Sequence, residues 1–144
     1  DRIDGAQIQK GVVGTRAACV FAEAIAFLGS GRNENVSIYF GANGNAQPLA
    51  TREIDQVLAQ YSEATLATVV LESRLDKGHQ HLWVRLPDRT LVYDLAASQA
   101  VQEPVWYTLA GGLEDLSALP AAFLVRCYDR WIVGDPGSSR IGYL

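Results

Sequence analysis

Cys19, His81 and Asp94 carry the side chains of a nucleophile, a general base and an orienting acid. A thiolate attacks a carbonyl carbon, an imidazole takes the thiol proton, and a carboxylate fixes the imidazole tautomer and stabilises the imidazolium. Cys19 lies in the stretch 14–29, where only Arg16 and Glu23 are charged. Thr15 suits an N-cap and Gly29 a left-handed C-cap, so this stretch predicts a helix with no polar face, buried at the centre of a domain. A thiol in the first turn of such a helix meets unpaired N–H groups and the positive dipole end, which favour the thiolate. Arg16 beside it either works in the same direction or caps a surface, two readings between which the sequence does not choose. Read alone, Cys19 is equally a small buried apolar residue.

His81 and Asp94 are the residues that turn the reading toward chemistry. Residues 79–86 and 90–95 predict a tight β-hairpin across Pro87-Asp88-Arg89. With Leu86 facing Leu91 and Trp83 facing Asp94, side-chain alternation puts His81, Trp83 and Asp94 on one face. His81 is then a diagonal neighbour of Asp94, within reach of a hydrogen bond. His79 shares the face but sits about 7 Å further along the strand, too far to bond. His81 is therefore the expected base.

Other elements must hold these residues in place. Residues 36–40 alternate and read as a strand, and 41–45 as a loop with an Asn-Gly turn signal. A helix is expected from Thr51, with Ile54, Val57, Leu58 and Tyr61 on its apolar stripe. Residues 65–71 read as a buried strand, 113–119 as a short helix ended by Pro120, and 123–128 and 131–133 as a final strand pair. Cys127 falls in that pair as a core residue, unbonded to Cys19, and the tail 134–144 reads as irregular. The fold class expected is α+β, a central buried helix carrying Cys19 packed on a mostly antiparallel sheet.

The bulk composition narrows the partners. A chain of 144 residues with 49% hydrophobic and 19% charged residues is expected to form a single domain over 1–144. Its net charge of −4 argues against nucleic acid and against an anionic membrane surface. No apolar run approaches membrane-spanning length. Methionine is absent, so the sequence is expected to be a fragment of a longer chain. His79 and His81 with one aspartate fall short of a structural zinc ligand set, so neither metal nor cofactor is expected.

His81-Leu82-Trp83-Val84 and Tyr93-Asp94 resemble the His-x-Trp-Val and Val-Asp signatures of transglutaminases. With a cysteine opening a helix upstream, the chain resembles the papain/transglutaminase-like superfamily of cysteine enzymes. Its size and layout are closest to small papain-like bacterial toxin and effector domains. That resemblance implies a papain-like fold and a cysteine amidohydrolase with Cys19 as nucleophile, His81 as base and Asp94 as orienter. It implies a glutamine deamidase, a protein substrate presenting a glutamine, a cognate immunity protein, and a secreted or delivered effector acting in the target-cell cytosol. A peptidase, a transglutaminase and a peptidoglycan amidase share the same triad. The reading from another class is a non-catalytic binding or immunity module in which Cys19 is merely packed.

Overall fold

In the computed structural model, residues 10–109, 123–127, 130–134 and 139–143 are described. Alternation decides the fate of the stretch around Cys19. Ala17 and Phe21 are buried and Cys19 half-buried, while Ala18 and Val20 between them are exposed, a strict period of two that no helix produces. The stretch forms β2 (Ala18–Phe21) and β3 (Ala24–Ser30), paired antiparallel with Cys19 opposite Ala26. Between them Ala22 and Glu23 both adopt positive φ, 49° and 63°, the backbone of a two-residue hairpin turn matched to strand twist. The expected central helix is thus corrected to a hairpin. Its uninterrupted apolar character fits a strand pair with one face in the core, and Val20, Phe21, Ile25 and Phe27 favour strands.

Gly29 is not a helix cap either. It faces β1 (Gly11–Val12), and a Cβ there would lie 1.9 Å from the Gly11 carbonyl oxygen. β1 and β2 thus run along the same edge of β3. β3 pairs β4 (Ser37–Ala42), which turns through Asn43 and Gly44, at φ 51° and 80°, into β5 (Asn45–Pro48). The Asn-Gly signal therefore closes a hairpin.

Two short helices follow. In α1 (Arg52–Leu58), the Thr51 hydroxyl accepts from the Ile54 N–H at the N-cap, and Ile54 and Leu58 are buried. Ser62 caps α2 (Glu63–Leu66). The strand expected over 65–71 begins only at Val70, because the Ser62 cap and its hydrogen bond to the Thr65 N–H hold the preceding residues helical. β6 (Val70–Asp76) then turns through Lys77 and Gly78, again at positive φ, into β7 (His79–Arg85). β8 (Thr90–Asp94), α3 (Leu95–Val101) and β9 (Trp106–Leu109) complete this sheet.

β10 (Phe123–Cys127), β11 (Arg130–Gly134) and β12 (Ile141–Tyr143) form a third antiparallel sheet. The tail expected to be irregular therefore supplies strand residues. The helix expected at 113–119 lies outside the described residues, as does the side chain of Cys127.

Among the described residues the strands make three sheets; strand order follows the chain in the second and third, while in the first β1 and β2 share one edge of β3. The sheets meet through β6, the opening strand of the second: β2 of the first sheet and β10 of the third both pack on it. The Leu71 N–H donates to the Arg16 carbonyl at 3.0 Å across the first of these contacts. The core lies between the first two sheets, with Phe21, Leu28 and Ile38 facing Leu82, Val84 and Leu91, and Leu58 and Leu66 of the helices closing one end. The α+β, papain-like expectation is corrected to stacked antiparallel meanders with few helical residues.

Candidate functional site

Asp94 ends β8 and caps α3. Its Oδ1 accepts from the Ala97 N–H at 3.1 Å, and the Ser98 hydroxyl donates to the Asp94 carbonyl at 2.6 Å while accepting from the Val105 N–H at 2.9 Å. The carboxylate is therefore held by one N–H, and the Asp94 backbone by Ser98, before any histidine reaches it. His81 lies directly opposite it across the β7–β8 ladder, with Nε2 3.3 Å from Oδ2. His79, the first residue after the Lys77–Gly78 turn, places Nδ1 3.0 Å from Oδ2 and 3.2 Å from Oδ1.

The exclusion of His79 is thus corrected, and the cause is register. Trp83 faces Val92, not Asp94, and Arg85 faces Thr90. Leu86 leaves the ladder and its N–H donates to the Arg89 carbonyl at 2.9 Å, moving the four-residue loop back by one position to 86–89. The shift is two residues, so the faces survive while the pairs change. His81 becomes the direct partner and His79 the diagonal one. The Lys77-Gly78 pair, a two-residue turn placing His79 opposite Asp76, was the signal in the sequence that fixes this end of the sheet.

The two imidazole rings stack at 6.1 Å, and Tyr107 meets His81 edge-on at 6.2 Å. Burial pushes the Asp94 carboxyl up, but the Ala97 N–H and the two histidines outweigh it and hold the group below its ordinary value. Such an arrangement orients imidazoles and gathers lone pairs.

Cys19 is not part of it. The close cluster of potential ligand groups comprises His79, His81 and Asp94. Cys19 sits on β2 in another sheet, as a free thiol packed against the core. Burial first, and the Glu72 carboxylate second, push that thiol up to about 12. The lowered pKa expected from a helix N-terminus and Arg16 is reversed, since there is no helix and the charge acting on the thiol is negative. A cleft of about 730 Å³ lies between β4 and the two helices, lined by Lys10, Glu34, Tyr39, Asp55 and Tyr61 among others.

Comparison with known proteins points the same way. The whole chain, residues 1–144, matches the family described as Bacteriophage P22 Gp10, beta-propeller. The chain belongs to this family. Over 108 residues it is 35% identical to the tail hub protein gp10 of Salmonella phage P22, a match covering 75% of this chain and 22% of that protein. The chain therefore spans well under a third of its Gp10 relative.

Membership of the Gp10 family overturns the papain/transglutaminase-like resemblance and what it implied. The cysteine amidohydrolase, the deamidase and toxin readings, the glutamine-bearing substrate, the immunity protein and the target-cell cytosol fall with it. The His-x-Trp-Val and Tyr-Asp matches arise from one hairpin whose residues 82–84 and 90–94 are buried on both faces, where apolar and aromatic residues occur for packing reasons.

Proposed function

We propose that this chain is a structural segment of a phage tail hub protein, contributing consecutive blades to a β-propeller, and that its partners are other tail proteins of the virion. The observation that carries this reading is the packing of successive antiparallel sheets in chain order, with β2 of the first and β10 of the third against β6 of the second. Radial repetition of such sheets leaves short, protected edges and is how a propeller is built. The Gp10 family match over the full chain supports it. On this reading, function lies in surfaces and rigidity, and Cys19 packs.

Mass spectrometry of gradient-purified phage particles encoding the full-length protein tests it. Peptides of this chain are expected in intact particles at a fixed ratio to other tail proteins. Particles that lack them while remaining infectious overturn the reading.

A further inference from the structure

The end of the second sheet beside the Lys77–Gly78 turn holds a donor set one ligand short of a structural zinc site. His79 and His81 project from one face of β7, and Asp94 faces them from the end of β8. Their ligand atoms all lie within 4.8 Å of one another. A tetrahedral ion with bonds of about 2.0–2.1 Å holds neighbouring ligand atoms roughly 3.3 Å apart. The Asp94 Oδ2 distances to His79 Nδ1 and His81 Nε2 are 3.0 and 3.3 Å. We propose that His79 Nδ1, His81 Nε2 and Asp94 Oδ2 form a three-ligand site for a divalent transition metal of the zinc class.

The supports are those of a built site. Asp94 Oδ1 is fixed by the Ala97 N–H, leaving Oδ2 for the ion. His81 is largely buried while the His79 side chain is 48% exposed, so the fourth position opens on that side to water. On binding, each ligating ring nitrogen contributes its lone pair, and the single ring proton sits on the other nitrogen, so a neutral imidazole loses no proton. Arg74 lies opposite His81, but its guanidinium is directed to Asp76 at 3.6 Å and over the Trp83 ring. Two imidazoles and one carboxylate, with no thiolate, select zinc, cobalt or nickel over calcium or magnesium. The ion would clamp β7, β8 and the start of α3 together, a role independent of the tail hub reading.

The test uses the full-length, untagged protein, stripped with a chelator and titrated with Zn²⁺ by calorimetry and with Co²⁺ by visible absorption. One more equivalent of Zn²⁺ is expected in wild type than in the His79→Ala/His81→Ala double variant, with tetrahedral cobalt bands only in wild type. Circular dichroism checks that the double variant folds. Should it not, His79→Gln, at the half-exposed position, is measured instead and is expected to weaken Zn²⁺ binding at least about tenfold. Equal stoichiometry in wild type and a folded double variant, or an unchanged affinity in His79→Gln, overturns the site.

Discussion

Burial and the Glu72 carboxylate both favour the neutral thiol of Cys19, so very little of it is thiolate near pH 7. Iodoacetamide is therefore expected to label Cys19 slowly in the folded protein and rapidly after denaturation; fast labelling of the native protein contradicts this environment. The same shift has a pH signature. The ordinary value is 9.0 and the folded value about 12, so between them the unfolded chain loses its proton while the folded one keeps it. Stability contributed by Cys19 is thus full below about pH 9 and declines as pH rises toward 12. Cys19→Ala should flatten that alkaline decline in urea melts. Asp94 has the opposite sign: its folded value lies below 3.8, so its contribution is present above that pH and lost on acidification through the folded value. Asp94→Ala removes the α3 cap and the partner of both histidines, and a loss of about 1–2 kcal/mol at neutral pH is expected.

Hairpins are the repeating element, and their turns are where residue choice and backbone conflict. Asn43-Gly44 and Lys77-Gly78 place glycine at the second positive-φ position, whereas Ala22-Glu23 do not. An alanine and a glutamate held left-handed each cost about 1 kcal/mol. Glu23→Gly should therefore stabilise the protein by about 0.5–1 kcal/mol, read as a raised urea midpoint at unchanged slope. Gly29→Ala should act in reverse. Its Cβ would meet the Gly11 carbonyl oxygen at 1.9 Å, so β1 must move off β3 at a cost of about 1–3 kcal/mol. Hydrogen exchange at the β1–β3 pairs would report that separation directly.

At the scale of the whole molecule, the first sheet leaves an apolar face uncovered by the described residues. Val20 is 70% exposed and its cross-strand partner Ile25 49%, with Val12 on the adjoining β1 at 48%. Val20 and Ile25 form an exposed apolar pair at the hairpin end of the sheet, suited to packing against a further surface. On the tail hub reading it lies beside a neighbouring blade supplied by the rest of the protein. Val20→Lys in the full-length protein should then lower the unfolding temperature by several degrees, because a lysine ammonium must be desolvated there. A variant melting with wild type would show that this face stays in water.

Local chemistry was legible where one residue type decides the backbone. Asn43-Gly44 announced a turn, Thr51 a helix start, and the alternation across 79–95 a hairpin with His81 and Asp94 on a common face; each is fixed by sterics or hydrogen bonding within a few residues. What required tertiary structure was everything resting on a partner outside that range. The stretch 14–29 is apolar enough for a buried helix or a buried hairpin, and only β4 and β6 packing on either side selects the hairpin. His79 reaches Asp94 because Leu86 leaves the ladder, and a two-residue shift keeps every face, so alternation had no power to detect it. The environment of Cys19 depends on Glu72, a residue far away in sequence and close only across the packed sheets. Composition and motif spacing carry no record of such meetings, which is why Cys19 lies in one sheet while His81 and Asp94 pair in another.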